Sequence, residues 1–300
     1  MNAASSPTFR GKRIGVFGKG GSGKSTLTAL LARHLAAEGV PVCVLDADST
    51  NRGLPGAVGL QAPSRSLLDY YGGMVFSGGE VTCPVDDPRP LPHRRLDLTQ
   101  LPREYLAQED GLTLLTAGKI GDLGPGAGCD GPVSKIARDV VLEHPEGSPL
   151  TLIDFKAGLE DSARGALTRL DWLLLVVDPT TASLEMARSM QELVGKIRRG
   201  DPPATAHLQD PDMAALAIRF YQEAALQGLS VVLNRAADTA AENYLRDTLN
   251  QIDLQPLAVI PEDRALTRAW LEGTPLPREK TQPALEAAAD QLEAILHDSP

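Results

Sequence analysis

Gly18-Lys19-Gly20-Gly21-Ser22-Gly23-Lys24-Ser25-Thr26 is the stretch on which the reading of this chain turns. It follows a short apolar run, Ile14-Gly15-Val16-Phe17, and opens a helix predicted over residues 24–38. The pattern G-x-x-x-x-G-K-[ST] carries mechanical meaning in that setting, a strand feeding a loop that starts a helix. Gly20, Gly21 and Gly23, with Ser22 among them, let successive backbone N–H groups turn inward around phosphate oxygens. The helix N-terminus adds partial positive charge at the same place. Lys24 is positioned to bridge β- and γ-phosphates, Ser25 to ligate Mg²⁺, and Thr26 completes the set. An ordinary glycine-rich turn is the plain alternative. The complete motif in its proper context argues for a nucleotide.

Outward from the loop, two apolar runs end in acid: Val42-Cys43-Val44-Leu45-Asp46 and Leu150-Thr151-Leu152-Ile153-Asp154. Both read as buried parallel strands, with Cys43 as packing. Ligands of an open parallel sheet sit at the carboxyl ends of its strands, so Asp46, Asp48 and Asp154 arrive beside the phosphates. Asp154 is expected to hold Mg²⁺ through water. Asp48-Ser49 could equally cap a turn. Further strands are expected at 112–116, 172–177, 229–234 and 257–260, and helices at 133–142, 181–199, 211–227 and 282–296. This alternation implies an α/β fold, one doubly wound domain over residues 1–300 with a predominantly parallel sheet and helices on both faces. Residues 55–110 and 200–228 read as inserts. Short helices are expected near 66–71 and 102–108.

The 300 residues are 42% hydrophobic but only 4% aromatic, so the core must be built from Leu, Val, Ile and Ala. A net charge of −10 argues against broad nucleic-acid binding, which leaves a basic footprint. The predicted C-terminal helix is acidic and places Leu285, Ala288, Ala289, Leu292 and Ile295 along one face, which suits core packing better than a membrane surface. No run reaches transmembrane length, residues 1–8 lack a signal-peptide core, and three cysteines suit a reducing compartment. The expected location is the cytoplasm.

Lys19 narrows the class. G-K-G-G-x-G-K-S-T resembles the deviant, signature-lysine form of the P-loop found in a superfamily of dimeric ATPases. That superfamily includes the nitrogenase iron protein, nickel-insertion accessory ATPases of carbon monoxide dehydrogenase, and partitioning and division-site ATPases. The resemblance implies a P-loop ATPase that works as a homodimer. Lys19 would reach across the two-fold interface to the other subunit's nucleotide; a solvated loop lysine is the plain alternative. Asp46-Ala47-Asp48-Ser49-Thr50-Asn51 resembles the family's first switch. On that basis Asp48 would orient the attacking water and Asp46 would lie near the Mg²⁺ beyond its direct ligands. Asp154-Phe155-Lys156-Ala157-Gly158-Leu159-Glu160 resembles the second switch, with Gly158 free to swing. Asn234, ending Leu229-Ser230-Val231-Val232-Leu233, would read the adenine edge, with Pro261 and Glu262 beside the base; an asparagine that caps a turn is the plain alternative. The guanine signature Asn-Lys-x-Asp is absent, which favours ATP.

Gly118-Lys119-Ile120, then a glycine-rich stretch with Cys129, resembles the nickel-insertion group and the first cluster-ligating segment of the iron protein. Two departures stand out. The nickel group carries Cys-x-Cys where this chain has Cys129-Asp130-Gly131, and it carries an acid where this chain has Lys156. The iron protein's second cysteine is missing between Asp154 and Asp178. A dimer would then offer two Cys129 thiolates, short of the four usual for a [4Fe–4S] cluster, yet able to hold Ni²⁺ or Zn²⁺ with help. Cys129 as a small loop residue is the plain alternative. The resemblance implies an ATP- and Mg²⁺-dependent switch serving a client metalloenzyme in maturation or metal delivery. A positioning ATPase of the partitioning or division type, or an iron-protein-like reductase, would be the competing readings.

Overall fold

A computed structural model of the chain describes residues 7–119 and 129–298. Its main sheet has eight strands in the order β10-β9-β8-β1-β7-β2-β5-β4. These are β1 (Arg13–Gly18), β2 (Val42–Ala47), β4 (Leu106–Glu109), β5 (Leu112–Thr116), β7 (Leu150–Phe155), β8 (Trp172–Val177), β9 (Gly228–Ala236) and β10 (Pro256–Pro261). A second, two-stranded parallel sheet pairs β3 (Arg95–Asp97) with β6 (Val141–Glu143). The helices are α1 (Lys24–Ala37), α2 (Leu54–Val58), α3 (Leu67–Tyr70), α4 (Gly131–Asp139), α5 (Glu160–Ala163), α6 (Thr181–Arg198), α7 (Pro211–Gln222), α8 (Thr239–Asn250), α9 (Arg264–Glu272) and α10 (Gln282–Asp298). Every pairing in the main sheet is parallel except β4 with β5.

The central strands β1, β2 and β7 are buried along their whole length, as expected of a parallel sheet covered on both faces. Alternate side chains feed two cores. Ile14, Val16, Val42 and Val44 point with Leu27, Leu30 and Leu31 of α1 to one face, which α10 also covers through Leu285, Ala289 and Leu292. Phe17, Leu45, Ile153 and Phe155 point to the other, against α4 and α6. Phe17 and Phe155 stack there with ring centroids 4.3 Å apart, just below the carboxyl ends of β1 and β7. β1 lies between β7 and β8, so successive connections depart to opposite sides of it, and its carboxyl end opens into the crevice where such sheets bind ligands.

Three local expectations need correction, the first being the helix expected at 133–142, which runs from Gly131 to Asp139 and gives way to β6. Residues 102–108 form a 3-10 turn, Arg103–Tyr105, followed by edge strand β4 rather than a helix. The reason is the hairpin that follows. Asp110 and Gly111 both take positive φ, 47° and 79°, as a two-residue turn of the mirror-image type requires, and it folds β4 back onto β5. The helix expected at 211–227 stops at Gln222, because the chain must turn to enter β9 at Gly228. Residues 55–110 also pack: Met74, Val81, Leu91, Leu96, Leu98 and Leu101 all join the core on the α4 face. Among the described residues no helix is long and apolar enough to cross a membrane.

Candidate nucleotide site and its switch segments

The loop between β1 and α1 has the conformation that its glycines predict. Gly23 sits at φ 102°, at the N-cap of α1, and no side chain caps that helix end. Its first N–H groups therefore stay open to an anion. A Cβ at Gly23 would run into the amide nitrogen of Asn234, so the loop backbone and the end of β9 approach more closely than any side chain would allow. Lys24 is buried, with Nζ 3.4 Å from its own loop's Lys19 carbonyl oxygen. Burial lowers its pKa, while Asp154 and Asp48 act in the opposite sense. A buried ammonium with little to hold it is suited to receiving phosphate charge.

The acids meet where β2 and β7 run in register, Asp46 opposite Asp154. The Ser25 hydroxyl donates to Asp154 Oδ2 (2.6 Å), Thr28 donates to Asp154 Oδ1 (3.2 Å), and Asn51 Nδ2 donates to Ser25 Oγ (2.9 Å). Burial pushes the Asp154 carboxyl up to about 6 and the Asp46 carboxyl up to about 7, the latter despite Lys119. Asp46 Oδ1 is buried without a hydrogen-bond partner among the described residues. An orphaned carboxylate oxygen beside a second acid and a serine hydroxyl is a donor set for a hard, partly hydrated divalent cation. Ser25, Asp154 and Asp46 therefore fit Mg²⁺.

Asp48 caps its own turn in this conformation. Its Oδ1 accepts from Thr50 N (2.9 Å) and from the Thr50 hydroxyl (2.7 Å). Lys119 holds the same segment from below: its Nζ donates to Asp46 Oδ2 (2.7 Å), to the Asp48 carbonyl (2.6 Å) and to the Asn51 carbonyl. The sequence offered Lys119 only as part of a resemblance. Its place as the post on which the first switch hangs comes from β5 lying next to β2.

On the base side, Asn234 is buried and its amide nitrogen donates to the Ser22 carbonyl (2.7 Å). Expected to read adenine, that nitrogen here braces the phosphate loop. Arg235, in left-handed backbone at φ 59°, reaches the Gly21 carbonyl and Asp178 Oδ2 (3.0 Å), a contact missed from sequence. Ile260 pairs with Asn234 and Pro261 with Ala236, so β10 ends alongside the end of β9. The Thr26 hydroxyl accepts from Trp270 Nε1 (3.0 Å), which ties the start of α1 to α9. Lys19 is half-buried, and Asp178 feels its charge. Gly20 lies 3.7 Å, measured from a Cβ built on it, from Ala157 of the second switch, and Gly158 (φ 99°) donates its N–H to the Gly18 carbonyl at 3.3 Å. The second switch therefore rests directly on the loop.

One departure from the nickel group, Lys156, pairs with the residue that follows Cys129. Lys156 Nζ donates to Asp130 Oδ2, and the Ser49 hydroxyl donates to Asp130 Oδ1. The hydrogen bond to Asp130 raises the Lys156 pKa. Asp130 thus joins the first switch (Ser49) and the second (Lys156) at the start of α4, beside Cys129. The glycine-rich run before it falls at 120–128, outside the described residues. Cys129 is half-exposed, and Cys43 is fully buried in β2 with its thiol pushed up by burial.

Residues 16–276 match the family described as the CobQ/CobB/MinD/ParA nucleotide binding domain. An uncharacterized ATP-binding protein of Methanocaldococcus jannaschii is 30% identical over 187 residues, 62% of this chain and 74% of that protein. The carbon monoxide dehydrogenase accessory protein CooC of Rhodospirillum rubrum is 26% identical over 93% of this chain and 97% of its own. Among solved structures, the septum site-determining protein MinD of Pyrococcus horikoshii, complexed with Mg-ADP, superposes with a TM-score of 0.58. It is 20% identical, over 95% of this chain and 96% of that one, and this likeness carries the fold.

Proposed function

Because the chain belongs to the CobQ/CobB/MinD/ParA nucleotide-binding family and is an ATPase, we propose that it is a homodimeric Mg-ATP-dependent switch serving the maturation of, or metal delivery to, a metalloenzyme. The observation that carries this reading is Asp130. It ties the half-exposed Cys129 segment to both switch segments of the nucleotide site. A change of nucleotide state that moves either switch therefore has a route to the cysteine through Asp130. The support from relatives is the accessory protein CooC, aligned over nearly the whole of both chains.

In hydrolysis Lys24 neutralises the β- and γ-phosphate oxygens, and the open N–H groups of α1 cradle them. Ser25, and Asp154 and Asp46 through water, would hold Mg²⁺, which would supply charge neutralisation at those oxygens. Asp48 leaves its Thr50 cap and orients the attacking water; Gly158 swings with the γ-phosphate. Lys19 from a second copy completes the charge balance across a two-fold interface. Asp48→Asn should bind Mg-ATP within about threefold of wild type and lose turnover by about 100-fold or more, the scale of a water-positioning group. Calorimetry and phosphate release read the two separately. Normal turnover in Asp48→Asn would sink the assignment.

A second reading, a nucleotide-dependent positioning switch, has its own support in the septum site-determining protein MinD of Escherichia coli, 26% identical over 93% of this chain and 88% of that protein. The two separate on one measurement: nucleotide-dependent sedimentation with lipid vesicles or DNA belongs to positioning, and nucleotide-dependent metal retention to maturation.

A further inference from the structure

The family resemblance left Cys129 without its second cysteine, because position 131 is glycine. The fold fills that place from elsewhere. Cys83 packs onto the backbone of Gly131: a Cβ built there would lie 2.6 Å from Cys83 Sγ, 2.7 Å from its Cβ and 3.0 Å from its Cα. Position 131 can carry no side chain, and the space a side chain two residues after Cys129 would occupy already holds a sulfur. The Cys129 thiol is near enough to act on Cys83, adding to the effect of burial in raising its pKa.

The loop bearing Cys83 is fixed in this place. Asp87 N donates to the Cys83 carbonyl (2.9 Å), closing a turn. Lys135, one turn into α4, donates from Nζ to Thr82 Oγ1 and to the Asp87 carbonyl, both at 3.0 Å. Residues on either side of Cys83 are thus pinned to the helix whose start carries Cys129. Both cysteines are half-exposed and unoxidised.

We propose that Cys83 and Cys129 form a dithiol that binds one thiophilic divalent cation, with Cys83 supplying the second sulfur. The inference rests on the metal-handling reading above and names its donor. Each thiol gives its proton to the buffer and forms one sulfur–metal bond. Soft and borderline cations such as Cd²⁺ and Zn²⁺ prefer thiolate pairs of this kind. Among the described residues no group of three or more His, Cys, Asp and Glu side chains surrounds a common point, so each chain contributes two sulfurs. Water or the pair from a second copy would complete a tetrahedron.

The test is an anaerobic titration of the reduced full chain with Cd²⁺, read by the thiolate-to-metal absorption band. Mg-ADP binding by each variant checks that it is folded. Wild type and Cys43→Ala should show the band, whereas Cys83→Ser and Cys129→Ser should each lose most of it and bind about 10-fold or more weakly. Gly131→Ala keeps both sulfurs but pushes Cys83 away, and should also weaken the cation. Wild-type binding by Cys83→Ser, with loss only in Cys129→Ser, would overturn the dithiol while leaving the metal-handling reading in place. Absence of the band from wild type that still binds Mg-ADP would overturn both.

Discussion

The phosphate loop and the thiol corner are built in opposite ways. The loop is nine consecutive residues between β1 and α1, and its binding groups are mostly backbone N–H groups whose direction follows from glycine conformations and a helix start. The thiol corner gathers Cys83 from the loop after residue 81, Cys129 and Asp130 before α4, Ser49 after β2 and Lys156 after β7. No two of these four segments adjoin in sequence. A site made of local backbone keeps its shape if the rest of the sheet shifts. A site made of four segments changes whenever one of them moves, and two of these segments are the switches. The first arrangement suits holding a nucleotide, the second suits reporting its state.

The sharpest break of this comparison is Lys24→Ala. It removes a charged donor from the local site, so Mg-ATP affinity should fall roughly 100-fold, or ~3 kcal/mol, with the cation-binding corner untouched. Calorimetry with ATP and Cd²⁺ on the same protein checks both halves. A matching loss of Cd²⁺ binding would show that the corner depends on the loop.

The pH dependence of stability is next in size. Burial raises Asp46 to about 7 and Asp154 to about 6, from a reference of 3.8. Between about pH 4 and pH 7 the folded chain therefore binds more protons than the unfolded chain. Stability must fall as pH rises through that window and level off above it, by a few kcal/mol in order of magnitude. Saturating Mg-ADP should flatten the slope, since the cation favours the ionised acids. Denaturant unfolding from about pH 5 to about pH 8, with and without nucleotide, reads it. A nucleotide-free stability that climbs with pH would contradict the burial of these two carboxyls.

The smallest effect belongs to the link between the regions. Asp130→Asn keeps the shape but weakens the bonds to Lys156 and Ser49, a partly exposed network worth about 1 kcal/mol. Nucleotide affinity should change less than about threefold, while any difference in Cys129 alkylation rate between ATP and ADP states should shrink. An undiminished difference would remove Asp130 from the coupling.

Much of the nucleotide end was legible before any coordinates. Strands running into Asp46 and Asp154 and the start of α1 all carry short-range signals. Asp110-Gly111 is as local a signal, a hairpin dipeptide ahead of the apolar run 112–116, and it pairs 106–109 back onto that run as a strand. Lys119, Asn51, Arg235 and Trp270 were not legible in their roles. Each acts on a residue far away in the chain, and only strand order brings it there.

By itself the sequence determined that a glycine loop with an uncapped helix start would form at the end of β1 and that acids would stand beside it, because these follow from neighbours a few residues apart. Tertiary structure alone decided that Asn234 braces the loop, that Lys119 carries the first switch, and that Lys156 answers Asp130. It also decided that Cys83 packs against Gly131, two residues after Cys129. Contacts of this kind depend on which strands lie side by side and how closely a loop can approach a glycine, and neither is written in any one stretch of the chain.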